Sequence, residues 1–273
     1  MRERVVHGPV PSAQTPAEWL RARAELPAAP PELHERWDSR WGKYIPAPPR
    51  EPSGRLRVAL ISASPIGLGF VPTVLADDSV EVVGLSTDEV IDHGAKISRR
   101  RRIWRHWPDD HCNEYQAAIE LSAVRAGVPV YSGEIKCQTF RDILAQWDPD
   151  VILVYVCGQL IPPHVFGHPR YGTYNFHPSN LHAGEGRGPG PLETAVEQGH
   201  RAVPTACHHV DEGFDTGHVV GVGRDTSIVD GDGRHLSIGD ICFALGPEGG
   251  RMARRLLAEI RGRREVIYHL DFA

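Results

Sequence analysis

The sequence has no continuous apolar run near the ~18 residues that a membrane-spanning helix requires. Its N-terminus, Met1-Arg2-Glu3-Arg4, leads into a proline-rich stretch without the apolar segment of a secretory signal. The 273 residues, 41% apolar and 24% charged, predict a soluble globular protein with enough chain for a buried core. We therefore expect a cytoplasmic protein with no membrane partner.

Lysine is scarce, with three residues against 27 arginines, and the net charge is −5. Affinity for the nucleic-acid backbone accumulates from Lys and Arg contacts, so this charge argues against a general nucleic-acid partner. The four arginines at 99–102 are the strongest local concentration of positive charge in this acidic chain. They are either a solvated helix face or a cradle for phosphate or carboxylate, which guanidinium groups bind in bidentate fashion.

Several familiar motifs are missing. The five cysteines are an odd number without a CxxC pair, which favours free thiols over a disulfide framework. The 15 histidines show no zinc spacing such as HExxH, so no metal site is predicted. The turn at residues 62–69 satisfies neither GxGxxG nor a P-loop, so we do not expect NAD or ATP there.

Proline is concentrated at one end, since ten of the 23 prolines lie within residues 1–55. Because proline is confined to edges and turns in sheet proteins, this segment is interpreted as an extension outside the sheet. Thr15 and Glu18 form a capping box that predicts a short helix to about residue 25, and a second helix is expected after Pro31. Residues 45–49 are interpreted as the linker.

From residue 57 onward, apolar strand-length runs alternate with helical segments. Strands are predicted at 57–62, 80–85, 128–131, 151–156, 172–176, 202–210 and 218–222, and a long or broken helix at 241–263. This pattern predicts an α/β fold with a mostly parallel sheet covered by helices on both faces. We assign the core domain to residues 56–223 and a C-terminal helix and tail to 224–273. Ligands of such sheets bind beyond the carboxyl ends of the strands.

Three polar residues stand out near one sheet edge. Asn175 and His177 are two apart on a strand, so their side chains project to one face, and Asp215 lies in a loop between two strands. An amide, an imidazole and a carboxylate together could polarise a carbonyl group and move a proton.

The motifs around these residues resemble the folate-dependent formyltransferase family. The family pattern is met by Asn-x-His-Pro-Ser at 175–179, Arg-Gly-x-x-Pro at 187–191 and Asp-Thr-Gly at 215–217. The resemblance covers roughly residues 56–223 and implies a Rossmann-like formyltransferase core that uses 10-formyltetrahydrofolate as formyl donor. It also implies that Asn175, His177 and Asp215 are catalytic. His208 matches a histidine common in the family, with a packed strand residue as the alternative.

The resemblance further implies where the donor binds. The residues carried over as cofactor-binding are Gly158, Gln159, Leu160, Ile161, Asp211, Glu212 and Gly213. The chemical expectation is that Asn175 and a protonated His177 stabilise the oxyanion formed when an amine attacks the formyl carbon. Asp215 is expected to raise the pKa of His177, and either residue could take the amine proton.

Departures from the family pattern bear on the acceptor. The phosphate-binding Gly-Asn-Gly-Ser turn of glycinamide ribonucleotide enzymes is replaced by Ser62-Ala63-Ser64-Pro65, which disfavours that acceptor. Only about 50 residues follow the strand near 218, which disfavours a tRNA acceptor. The loop at 181–191 is longer and richer in glycine than in the family. We predict a small-molecule amine acceptor, such as an amino-sugar nucleotide, an amino acid or a hydroxylamine, held by Arg187, Arg100 and Arg101.

Three other functions stay open at this point. A 10-formyltetrahydrofolate hydrolase would keep the same three polar residues, with water in place of the amine. A non-folate acyl or carbamoyl transferase could use the same core, and a catalytically inactive binding module is the third alternative. A homodimer is also left open.

Overall fold

The computed structural model describes residues 15–25, 42–48, 53–87 and 109–273. Within these ranges the strands form one eight-stranded sheet in the order β1-β4-β3-β2-β5-β6-β7-β8. The strands are β1 (Gly42–Ile45), β2 (Leu56–Ser62), β3 (Val80–Thr87), β4 (Val130–Gly133), β5 (Val151–Tyr155), β6 (Thr173–His177), β7 (Ala202–His209) and β8 (Val219–Ser227).

The centre of the sheet is parallel and its edges are antiparallel. Strands β4, β3, β2, β5 and β6 run parallel to one another. Strands β7 and β8 extend one edge in antiparallel pairing, and β1 pairs antiparallel with β4 at the other. The predicted mostly parallel sheet is therefore confirmed.

Helices cover both faces of this sheet. They are α1 (Pro16–Glu25), α2 (Ser64–Leu75), α3 (Asp109–Arg125), α4 (Gln138–Trp147), α5 (Pro163–Phe166), α6 (Pro191–Glu197) and α7 (Ile238–Arg263). Successive side chains of β2 point to opposite faces of the sheet, so they pack against different layers of helices. Leu60 and its face pack with α2, α3 and α7, whereas Ile61 and its face pack with α4 and α5. None of the described helices is both long and apolar enough to cross a membrane.

Helices α2 and α7 cross at contact distance between their backbones. A Cβ added to Gly246 would lie 2.6 Å from the carbonyl oxygen of Ile66 and 2.9 Å from Gly69 Cα. Only glycine permits this approach, so α7 lies directly on the helix that follows β2. The C-terminal tail also returns to the sheet, since Leu270 N donates to Val220 O in β8 over 3.0 Å.

The predicted N-terminal helix is present as α1. Its capping box forms as expected: Glu18 N donates to Thr15 Oγ1, and Thr15 N donates to Glu18 Oε2, each over 3.2 Å. Trp19 of this helix is fully buried. The second helix expected after Pro31 lies outside the described residues.

The segment before the core does join the sheet, contrary to our expectation. Residues 42–45 form β1, with Tyr44 opposite Tyr131 and Ile45 opposite Val130. The proline argument fails here because residues 42–45 contain no proline: the strand lies between Pro31 and Pro46, and an edge strand pairs on one side only. The predicted boundary at 223 likewise falls inside β8, which runs to Ser227.

Candidate active site

The three polar residues singled out in the sequence meet where β6 pairs with β7. Asn175 and His177 both lie on β6, and the antiparallel register places His208 of β7 directly opposite Asn175. Asp215 follows β7 in a loop and has a left-handed backbone conformation with φ of 54°. This conformation is uncommon outside glycine, although Asp and Asn adopt it more readily than other residues.

The side-chain amide of Asn175 is held from two sides. Its Nδ2 lies 2.9 Å from His208 Nε2 and 3.2 Å from Asp215 Oδ1. His208 Nδ1 lies 2.8 Å from the carbonyl oxygen of His209, so the ring proton belongs on Nδ1 and Nε2 accepts from Asn175. Both Nδ2 hydrogens of Asn175 are therefore used within this cluster.

His177 is buried and contacts both a carboxylate and a backbone carbonyl. Its Nδ1 lies 3.5 Å from Asp215 Oδ2, and its Nε2 donates to Gly186 O over 2.6 Å. Burial lowers the pKa of His177 below its usual value and outweighs the opposing influence of Asp215. The expectation of a net rise in this pKa is corrected: the ring is desolvated more strongly than the single carboxylate compensates.

Asp215 is the hub of the cluster. Its Oδ1 faces Asn175 and His208, at 3.2 and 3.4 Å, and its Oδ2 accepts from Gly188 N over 2.9 Å. Burial acts to raise the pKa of this carboxyl group, but the His208, His177 and Gly188 contacts together hold it below its ordinary value. Asp215 is thus an ionised group at neutral pH.

The glycine-rich loop lies over this cluster through its backbone. Gly186 O contacts His177 and Gly188 N contacts Asp215, and both glycines have positive φ. These two contacts were not found from the sequence, because they are made by backbone atoms and no side-chain type marks them. Three side chains of the loop, those of His182, Glu185 and Arg187, are exposed.

The second predicted donor-binding loop, at residues 211–215, is stiffened by its first residue. Asp211 Oδ1 accepts from Gly213 N over 3.0 Å and from Thr216 Oγ1 over 2.6 Å. Glu212 is exposed, and Phe214 has 61% of its surface exposed although it is apolar. The loop is therefore prearranged around Asp215, with the side chains of Glu212 and Phe214 exposed.

The first predicted donor-binding segment, Gly158, Gln159, Leu160 and Ile161, follows β5. Gln159 Oε1 accepts from Ile135 N over 3.1 Å and its Nε2 donates to Gly133 O over 2.9 Å. Its side chain therefore links the segment at the end of β4 to the segment that follows β5. Ile161 is buried in the apolar layer with α4 and α5.

A cleft opens at the carboxyl ends of β2, β3 and β5. Its enclosed space is about 10 Å³, room for about one water molecule. The lining residues are Ile61, Ser62, Ala63, Ser86, Thr87, Ile135, Val156, Cys157 and Gln159. Ligands of parallel sheets bind at this edge, which gives the cleft functional interest.

Two predicted substrate-binding residues, Arg100 and Arg101, lie outside the described residues. Within the described part of the chain, no group of three or more His, Cys, Asp or Glu side chains could hold a metal ion.

The fold defined above is that of the formyltransferases. It is similar to phosphoribosylglycinamide formyltransferase from Bacillus halodurans, with a TM-score of 0.54 and 19% identity over 78% of this chain and 98% of that one. It is also similar to a formyltetrahydrofolate deformylase from Pseudomonas syringae pv. tomato, with a TM-score of 0.52 and 16% identity over 77% of this chain and 63% of that one. Residues 89–232 match the sequence model of the formyl transferase family, and the chain belongs to this family.

Curated relatives include methionyl-tRNA formyltransferases. The protein from Orientia tsutsugamushi (strain Boryong) is 29% identical over 113 residues, which are 41% of this chain and 36% of that protein. The protein from Clostridioides difficile (strain 630) is 29% identical over 202 residues, 73% of this chain and 59% of that protein. The chain thus spans between about a third and three fifths of the length of these two relatives.

Proposed function

We propose that this protein is an N-formyltransferase that moves the formyl group of 10-formyltetrahydrofolate to an amine of a small molecule. The observation that carries the proposal is the buried cluster in which Asn175, His177 and His208 all contact the carboxylate of Asp215 within 3.5 Å. Family membership supports the reaction class.

The residues around the cluster fit a folate donor. Backbone groups of Gly158 and Leu160, both half-buried, and the open backbone of the 211–215 loop are available to a planar ring with amide-like edges. Ile161 provides a buried apolar wall. When bound, the donor would supply the formyl carbon that the amine attacks.

We propose that Asp215 accepts the proton of the attacking amine. Once Gly188 N withdraws, Asp215 Oδ2 is free to accept a proton from the attacking amine, directly or through one water. The amine nitrogen forms a bond to the formyl carbon, the bond from that carbon to the donor nitrogen breaks, and the proton passes to the departing nitrogen. The low pKa of Asp215 means that the carboxylate is ionised and ready at neutral pH.

We assign the oxyanion contact to His177. Its Nε2–H now donates to Gly186 O, and movement of the glycine-rich loop would expose it to the formyl oxygen. Asn175 donates both Nδ2 hydrogens to His208 and Asp215, so in this arrangement it orients the carboxylate and has no hydrogen left for the substrate. This differs from the sequence-based expectation, in which Asn175 contacts the oxyanion directly.

The acceptor is proposed to be a small molecule rather than tRNA. The net charge of −5 is unfavourable for a polyanion, because phosphate contacts require accumulated positive charge. We also propose a cytoplasmic location, supported by the free thiols of Cys137, Cys207 and Cys242.

The test is formyl transfer from 10-formyltetrahydrofolate to a panel of amines, with products detected by the mass gained on formylation. Calorimetric titration with 5-formyltetrahydrofolate tests donor binding independently of turnover, with NAD and ATP as negative controls. A formylated amine with measurable folate binding supports the proposal. Formate release at the same rate with and without amines would instead establish a hydrolase, and absence of folate binding would contradict both.

A further inference from the structure

The C-terminal tail, residues 264–273, returns to the hairpin loop that carries Asp215. This loop, residues 210–217, leaves the sheet after His209 at the end of β7 and rejoins it at His218, just before β8. His209 N donates to His218 O over 2.9 Å, so these two residues close the loop. We call them the loop-closing histidines.

Both loop-closing histidines bind the backbone of the tail. His209 Nε2 donates to Ile267 O over 2.9 Å, and His218 Nε2 donates to Tyr268 O over 2.8 Å. A carbonyl oxygen can only accept a hydrogen bond, so in each ring a hydrogen is on Nε2. The ring of Tyr268 also packs on both histidines, with centroid distances of 4.9 Å and 5.9 Å. Two neighbouring residues of the tail therefore hold the two sides of the loop.

The tail is also anchored to the core by contacts that do not involve these histidines. Ile267, Leu270 and Phe272 are buried. Leu270 N donates to Val220 O of β8 over 3.0 Å, and Ile267 N donates to the hydroxyl oxygen of Tyr174 over 2.8 Å. The tail is therefore a fixed support, and the histidines fasten the loop to it.

The position of the loop-closing residues bears directly on the polar cluster. His209 O accepts from His208 Nδ1 over 2.8 Å, and His208 Nε2 lies 3.4 Å from Asp215 Oδ1. The other side of the loop packs on the same carbonyl group, because a Cβ added to Gly217 would lie 1.8 Å from His209 O. A displacement of the His209 backbone would therefore move both the His208 ring and the loop that carries Asp215.

We propose that the two loop-closing histidines are positioning residues, which hold Asp215 in place by fastening its loop to the backbone of the C-terminal tail. The tail is then part of the frame of the active site. The inference rests on the proposed function, in which Asp215 takes the proton of the amine. A general base acts only within hydrogen-bond reach of that proton, so a displaced carboxylate slows the reaction.

The experiment compares His218 with a matched control, His235. Both side chains are exposed, and His235 Nε2 also donates to a backbone carbonyl, that of His200, over 2.8 Å. His218→Ala and His235→Ala therefore remove the same kind of bond, but only the first bond lies at the Asp215 loop. Hydrogen exchange of single backbone amides, followed by NMR in the intact protein, compares the two variants without a substrate.

His218→Ala is expected to speed exchange at the amides of His209 and Val210, which are hydrogen-bonded where the loop begins. The expected factor is about two- to tenfold, as for one lost hydrogen bond. With an amine that is formylated, kcat should fall about tenfold at unchanged KM for the amine, since a misplacement of ~1 Å can cost ~10²-fold. His235→Ala should leave all three quantities unchanged. Equal exchange in the two variants, or faster exchange with unchanged kcat, would overturn the proposal.

Conservative variants test whether the hydrogen bond itself is responsible. Glutamine can place an N–H donor near the position of Nε2, whereas the side chain of asparagine is one carbon shorter. His218→Gln should therefore restore both exchange and kcat, and His218→Asn should not. Recovery in both variants would refute the role of the bond. His209→Gln and His209→Asn repeat the comparison on the other side of the loop, and the exposed His218 pair decides the matter where these half-buried variants fail to fold.

Exchange and turnover separate this inference from the proposed function. Absence of formyl transfer to any amine by the unmodified protein would contradict the proposed function alone. The exchange difference between His218→Ala and His235→Ala would then still decide whether the tail holds the loop. Normal transfer by His218→Ala would contradict the positioning role alone.

Discussion

The polar cluster around Asp215, which we propose to be catalytic, and the cleft bury their polar groups in opposite ways. In the cluster, Asn175, His208 and Asp215 satisfy one another, and the glycine-rich loop supplies the remaining partners. In the cleft, Ser86 is buried without a partner among the described residues. A ligand that enters the cluster would have to displace existing hydrogen bonds, whereas a ligand in the cleft would supply Ser86 with one.

The largest effect is expected from the catalytic cluster itself. His177→Ala, Asn175→Ala and Asp215→Ala should each lower turnover by about 10² or more, the scale of a lost base or oxyanion contact, with Asn175 acting through its orientation of the Asp215 carboxylate. Turnover with 10-formyltetrahydrofolate and the best amine is the measurement, and circular dichroism checks that each variant is folded. Near-normal turnover in any two of them would contradict the assignment.

In the glycine-rich loop, substitution of Gly186 should cost more stability than substitution of Gly184. A Cβ at Gly186 would lie 2.7 Å from Ser179 Cβ, whereas one at Gly184 would meet nothing within 4 Å. Both residues have positive φ, so Gly186→Ala and Gly184→Ala share a strain of ~1–2 kcal/mol. Only Gly186→Ala should add an overpacking cost of ~1–3 kcal/mol, measured by urea unfolding. Equal losses would show that Gly186 is not closely packed against Ser179.

The stability of the folded protein should depend on pH through His177. Its pKa is lowered in the folded state, so on acidification the unfolded chain takes up the proton first, from about pH 6.5 downward. The free energy of unfolding should then fall as pH falls, by up to ~1.4 kcal/mol per pH unit for this one group.

His177→Gln isolates that contribution, because glutamine does not titrate and its amide can still donate to Gly186 O. Urea unfolding between pH 5 and 7.5 should show a flatter dependence in the variant than in the unmodified protein. The carboxyl group of Asp215 stays ionised across this window, since its pKa is lowered. Superimposable pH dependences would mean that His177 is not held neutral.

The smallest effect is expected in the cleft, where two serines form a matched pair. Ser62→Ala removes a hydrogen bond to Tyr155 O and should cost ~1 kcal/mol. Ser86→Ala removes a buried hydroxyl that has no described partner and should change stability by less than ~0.5 kcal/mol. Thermal unfolding of the two variants measures the difference, and a larger loss for Ser86→Ala would remove the contrast between cleft and cluster.

The sequence predicted three side chains that the structure brings together. Asn175, His177 and Asp215 carry a motif, and strand periodicity was enough to place the first two on one face. The contacts of Gly186 O and Gly188 N could not be predicted, because the loop conformation that aims these backbone atoms leaves no pattern in residue type. The net direction of the His177 pKa was also wrong, since it depends on burial, which the motif does not reveal.

For the fold, a feature set by residues close in sequence was predicted correctly, whereas a pairing between residues far apart in sequence was not. The capping box of Thr15 and Glu18 marked the start of α1 correctly. The pairing of β1 with β4 was missed, because nothing in Gly42-Lys43-Tyr44-Ile45 indicates a partner almost ninety residues away. The proline-rich composition around these four residues led to the prediction that they lie outside the sheet.

The docking of α1 also has a consequence for synthesis on the ribosome. The bond between Trp19 and Glu120 joins residues 101 positions apart. At about 5 to 20 residues per second, the N-terminal helix must wait ~5–20 s before α3 has been made and can receive it. During that time the indole of Trp19 has no native surface to cover it. Helix α1 therefore reaches its final place only after translation has passed Glu120, 101 positions further along the chain.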